Sequence, residues 1–139
     1  MELAPQGTAA TMEVLSESFP ARPTAIRAAR HRAAAYALDH GATDRLAATI
    51  ALAVSEALTN AVLHSGLDQS ANGIELRLAC EPAGLSVVVR DEGRGLRPRI
   101  DSPGAGFGLP IIAGLADRLE ILHPDGGGTE LRMLFKLTG

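Results

Sequence analysis

At Gly66 the hydrophobic period of this chain changes from helical to alternating, and that change limits the folds open to it. Before Gly66 two segments carry helix signals; beyond it apolar residues alternate. The segment "RPTAIRAARHRAAAYALDHG" is rich in helix formers, with Pro23 near its start and Gly41 at its end. A second, "TDRLAATIALAVSEALTNAVLHSG", opens on a capping Thr43 and closes before Gly66. Upstream, "TMEVLSESFP" alternates and ends at Pro20, as an edge strand does. Downstream, "GIELRLACE" sets Ile74, Leu76, Leu78 and Cys80 on one side, and "LSVVVRD" follows the turn "EPAG" to make a hairpin. A Gly-rich stretch from Glu92 to Gly106 leads into a short helix over about residues 107–117, after which "RLEILH" and "TELRMLFKL" flank the turn "PDGGG". This order predicts an α+β, two-layer sandwich: a mostly antiparallel sheet with helices packed on one face.

Composition decides what fills that sandwich. Of the 139 residues 46% are hydrophobic, enough for one compact core, but with three Phe, one Tyr and no Trp the core has to be built from Ala, Leu, Val and Ile. Residues 1–10 read as a flexible tail and 11–139 as a single domain. A formal charge of -3 without a Lys/Arg block argues against nucleic acid or an anionic membrane as the main partner. The lone Cys80 can form neither an intramolecular disulfide nor a multi-cysteine metal site. No stretch approaches ~18 uninterrupted apolar residues. The N-terminus lacks a basic region followed by an apolar run, so the expectation is a soluble, cytoplasmic protein with no membrane span.

Four motifs carry polar chemistry on this frame. Glu56, Asn60 and His64 recur every four residues on the second helix and share a strip roughly 80° wide, opposite Ile50, Val54, Ala57, Leu58, Ala61 and Val62. The strip is a solvated helix face, or one wall of a partly covered cleft flanked by Leu52 and Leu63. In "DEGRGL", Asp91 shares the core phase of Leu85, Val87 and Val89. Either the strand frays there into a turn with Gly93 and Gly95, or the carboxylate accepts a hydrogen bond from a buried ligand that the glycines let approach. In "SPGAGFGLPII", Gly104, Gly106 and Gly108 open a helix whose terminal amides suit a phosphate, or make a plain flexible connection. No Gly-Lys-Ser/Thr follows, which excludes a Walker A loop, and Leu109 takes the last Gly position of G-x-G-x-x-G. Thr129 shares the phase of Leu131, Met133, Phe135 and Leu137, so its hydroxyl falls on the core side at the start of the last strand.

The order of these motifs resembles the N, G1, G2 and G3 boxes of the GHKL (Bergerat-fold) ATPase superfamily across about residues 10–138. Within it, "SEALTNAVLHSG", the short chain and the brief segment before "GFGLPII" look most like the bacterial anti-sigma-factor serine/threonine kinases. The resemblance implies ATP and Mg²⁺. It matches Asn60 to the Mg²⁺ ligand, Asp91 to the aspartate that reads the adenine amino group, and Glu56 to the general base. It matches Gly93 and Gly95 to the adenine pocket, Gly106, Gly108 and the amide of Leu109 to the phosphate cradle, and Thr129 to an assisting group at adenine. Arg94, Arg97 and Arg99 fall in the corresponding lid, where they meet phosphate or stay solvated, and His64 gains no role. The implied activity is phosphorylation of a Ser or Thr on an anti-sigma-factor antagonist together with binding of a sigma factor, and homodimers are common in the family. The alternatives are a nucleotide-dependent binding module without catalysis and a detached histidine-kinase ATPase domain. Glu56 counts against the second, because histidine kinases carry Asn there.

Overall fold

The computed structural model describes residues 14–64, 73–92, 108–125 and 127–137. Its elements are β1 (Leu15–Phe19), α1 (Pro23–Asp39), α2 (Asp44–His64), β2 (Ile74–Glu81), β3 (Gly84–Asp91), α3 (Gly108–Leu115), β4 (Arg118–Leu122) and β5 (Thr129–Phe135). The five strands form one sheet in the order β1-β2-β3-β5-β4, every neighbour antiparallel. The expected α+β sandwich is what the chain adopts.

Local signals fix both helix junctions. Pro23 starts α1, where a missing N–H costs nothing. At the other end Gly41 takes a φ of 99°, the amide of Ala42 donates to the carbonyl of Ala37 (2.9 Å), and the amide of Gly41 donates to that of Leu38 (3.3 Å). Those paired bonds satisfy carbonyls that α1 would otherwise leave open and turn the chain into α2. There the Thr43 hydroxyl accepts from the amide of Leu46 at 3.1 Å, the cap read from the sequence.

Alanine sets how closely the helices approach. Ala25, Ala29, Ala33 and Ala37 form a buried stripe on α1 at spacing four, and α1 packs along α2. Small side chains let two helix axes come near the close end of the usual 8–10 Å range, which compensates for the lack of aromatic bulk. Beneath them, Ile74, Leu76, Leu78, Leu85, Val87, Val89, Leu131, Met133 and Phe135 cover the inner face of the sheet, each at 3% exposure or less. Burying each such Leu or Ile contributes about 1.5–3 kcal/mol. Of the residues expected opposite the polar strip on α2, Ile50, Val54, Ala57, Leu58 and Ala61 are buried and Val62 is partly so.

By length and composition α2 is apolar enough to cross a membrane, with a mean hydropathy of 1.6 over Asp44–Leu63, although charges interrupt it. In this fold its apolar face is spent on α1, α3 and β3.

At the edge, β1 turns Glu17 toward the helix layer, where it meets Arg32 of α1 at 3.2 Å. An inward charge on an edge strand discourages further strands from adding there. The outer face of the sheet is polar. Arg77 pairs with Glu75 at 3.2 Å and Arg132 with Glu130 at 2.6 Å, across a concavity of about 590 Å³ that Arg90 and Glu120 also line. Two of its charge pairs are closed within the chain, and none of the residues matched to a nucleotide site lies there.

Three boundaries differ from expectation, the last strand ending at Phe135 and not at Leu137. The third helix ends at Leu115 and not at residue 117, because the Asp117 amide donates to Leu134 (2.8 Å) while its carboxylate accepts from the amide of Lys136 (2.7 Å). Asp117 is thereby tied to β5 instead of to the helix. Strand β4 stops at Leu122, two residues before Pro124, whose ring nitrogen has no hydrogen to give a ladder.

Candidate functional site

Helix α2 presents Glu56 and Asn60 one turn apart, and burial separates them. Asn60 is only 5% exposed, whereas Glu56 is partly exposed. Asn60 is one of two buried polar or charged residues among those described, the other being Thr129 at 3%. Its Nδ2 has no hydrogen-bond partner among the described residues. A buried amide nitrogen without an acceptor costs on the order of 1–3 kcal/mol, so it calls for a partner beyond the described residues. The neighbouring hydroxyls make no such demand. Thr49 donates to the carbonyl of Arg45 (3.0 Å), Ser55 to that of Ala51 (2.9 Å) and Thr59 to that of Ser55 (2.7 Å). The helix thus satisfies its own hydroxyls, and the solvated-face reading of the strip fails at Asn60.

Asp91 and Thr129 are brought together by the sheet. They are directly opposed in the β3–β5 ladder, and Asp91 is also opposed to Ile74 of β2. Cross-strand partners stand about 4.5–5.5 Å apart at Cβ, so the carboxylate and the hydroxyl share one spot on the helix-facing side. Strand β3 keeps its pairing through Asp91, and the Glu92 amide then donates to Gly73 at 3.0 Å. The alternative of a strand frayed before Asp91 is ruled out.

Gly128 completes this end of the sheet, and the sequence reading passed over it. Its φ is 88°, and a Cβ built there would collide with the Asp91 carbonyl oxygen. Only glycine lets β5 start this close to the end of β3. Its position next to Thr129 in "GGGT" was the available signal. Gly128→Ala is expected to cost at least ~1–3 kcal/mol of stability from the left-handed backbone alone, read as a lowered thermal midpoint.

These pairs lie on elements in contact, since α2 packs on both β3 and α3. Gly108 and Leu109 form the first residues of α3, where the leading amides have no partner within the helix. The structure therefore joins Glu56 with Asn60 and Asp91 with Thr129, on mutually packed elements. Gly93, Gly95, Gly104, Gly106, Arg94, Arg97 and Arg99 lie outside the described residues, as does the tail 1–10. His64 is the last residue of α2.

Chemically, the Asn60 amide can do two things at once. Its nitrogen is a donor seeking an acceptor such as a phosphate oxygen, and its carbonyl oxygen is the hard ligand type that Mg²⁺ takes. The residue present thus fits a metal–phosphate group, with one amide serving both components. Glu56, partly exposed beside it, is an acceptor within a helical turn of that position.

The chain is similar to several known proteins. The sequence profile of the histidine kinase-like ATPase domain family matches residues 19–135. The anti-sigma F factors of Thermoanaerobacter sp. (strain X514) and of Caldanaerobacter subterraneus subsp. tengcongensis are each 30% identical to the chain over 116 residues, 76% of this chain and 80% of the relative. That of Heyndrickxia coagulans is 30% identical over 95 residues, 58% of this chain and 63% of the relative. In three dimensions the chain resembles the solved RsbU and RsbW domains of Rv1364c from Mycobacterium tuberculosis, with a TM-score of 0.72 and 25% identity. The match covers 89% of this chain and 32% of that longer one.

Proposed function

Because this chain belongs to the histidine kinase-like ATPase domain family, and is similar within it to the anti-sigma F factors, we propose that it binds Mg-ATP and phosphorylates a Ser or Thr of an anti-sigma-factor antagonist. The same reading includes nucleotide-dependent binding of a sigma factor, a cytoplasmic location, and a single working domain over residues 11–139 with residues 1–10 as a tail. The reading also includes a homodimer, formed without strand addition at β1, where the inward Glu17 opposes it. The observation that carries the proposal is Asn60, buried and lacking an acceptor for Nδ2, one turn from a partly exposed Glu56.

In this reading Asp91 accepts a hydrogen bond from the adenine amino group, and Thr129 supports it from the opposite strand. Gly93 and Gly95 let the base approach. Asn60 would hold Mg²⁺ through its carbonyl oxygen, and its Nδ2 would donate to a phosphate oxygen. Gly106, Gly108 and the amide of Leu109 at the start of α3 receive the phosphates. Mg²⁺, when bound, neutralises phosphate charge, which is the main requirement of a loose phosphoryl-transfer transition state. Glu56 then takes the proton of the attacking hydroxyl.

The direct test incubates the purified chain with γ-labelled ATP, Mg²⁺ and antagonist proteins encoded near its gene. Label on a Ser or Thr of one antagonist is expected. ATP binding without transfer to any of them would leave a non-catalytic binding module.

A further inference from the structure

Five large apolar side chains are exposed among the described residues: Val14, Leu38, Leu52, Leu63 and Ile111. Two of them lie on the helical stripe that carries Glu56. Leu52 precedes it by four residues and Leu63 follows it by seven, displacements of about 40° and 20° around the axis. Leu52 is 45% exposed and Leu63 is 61% exposed. Ile111, at 41%, stands on α3, which packs against the same helix. Elsewhere α2 gives its Ile, Val and Leu residues to the core, so these two leucines are set apart from it. Single exposed leucines are ordinary, but this pair lies four residues before and seven after the partly exposed Glu56 on one stripe of α2, so apolar contacts stand on both sides of that carboxylate along the helix.

We propose that Leu52 and Leu63 are the docking contacts for the protein that carries the phosphoacceptor hydroxyl, seating it across Glu56. The proposal rests on the kinase reading above. If the acceptor were water, nothing beside Glu56 would need to be apolar. A protein acceptor, however, has to bring its Ser or Thr to Glu56, so the surface on both sides of that residue along the helix is the surface it meets. Apolar contacts there would bury against the acceptor while staying clear of the buried Asn60.

The test compares wild type with Leu52→Asp, Leu63→Asp and the double variant, using the purified antagonist that wild type phosphorylates. The expected result is a KM for the antagonist raised about tenfold or more in the double variant, with the KM for ATP unchanged and equal thermal midpoints. Leu→Met at both sites is expected to restore the wild-type value. Should aspartate disturb the helix, Leu→Gln keeps helix propensity and repeats the comparison. An unchanged antagonist KM overturns the proposal. So does a shift in the KM for ATP alone, which would assign the leucines to the nucleotide. Conversion of a wild-type dimer to monomers without change in antagonist KM overturns it too, giving the stripe to a second copy. Failure of the kinase reading itself is distinguishable, because wild type would then transfer no label before any leucine is changed.

Discussion

Glu56→Ala is expected to lower phosphoryl transfer about 10²–10⁴-fold while leaving ATP affinity unchanged. The separation of the two effects follows from where the residue stands. Glu56 is partly exposed on α2, one turn before Asn60, and its stripe faces outward between Leu52 and Leu63. In the proposed reading it meets the incoming hydroxyl, while Asn60, Asp91 and Thr129 hold the nucleotide. Removing it deprives the attack of a proton acceptor but leaves untouched the groups that hold adenine and phosphate. Single-turnover rates with labelled ATP, beside calorimetric affinities, check both halves. A variant that transfers at the wild-type rate would take the base role from Glu56. Glu56→Gln, which keeps the shape and loses the basicity, is expected to behave like the alanine variant.

The second large effect concerns Asp91. Asp91→Asn is expected to weaken ATP binding about 10- to 100-fold, because a charge-assisted hydrogen bond to the adenine amino group is replaced by a neutral amide. The same carboxylate gives selectivity. Guanine presents a carbonyl oxygen where adenine presents its amino group, so the wild-type chain faces GTP with two acceptors opposed. GTP is therefore expected to bind much more weakly than ATP, and the Asn variant, which can turn a donor outward, is expected to narrow that gap. Titrating both nucleotides into both proteins checks the pair of statements, and equal ATP affinity in the two proteins would remove Asp91 from the adenine site.

The fold was legible wherever its determinants are local. Alternation placed Leu85, Val87, Val89 and Asp91 on the inner face because a strand's side-chain period is two whatever surrounds it. The helix ends at Gly41 and Thr43 were readable for the same reason, since each cap involves residues no more than five apart. Contacts between distant segments were not legible. Gly128 is constrained by the Asp91 carbonyl, 37 positions earlier in the chain; its place in "GGGT" signals a turn but not that remote approach. The tie between Asp117 and the amide of Lys136 shortened α3 by the same kind of remote contact. Spacing alone also could not rank Glu56 and Asn60, which lie only about 40° apart on the helix. What α2 packs against buries one and leaves the other partly open.

That difference in burial leads to the most direct test of the whole account. Isothermal titration of the wild-type chain with ATP, in the presence of Mg²⁺ and again in EDTA, measures whether a metal–nucleotide site exists. One ATP per chain is expected to bind with Mg²⁺, and clearly more weakly without it, because a metal–phosphate group would complete the buried Asn60 amide. Absence of binding with Mg²⁺ present, or an affinity indifferent to the metal, would contradict it.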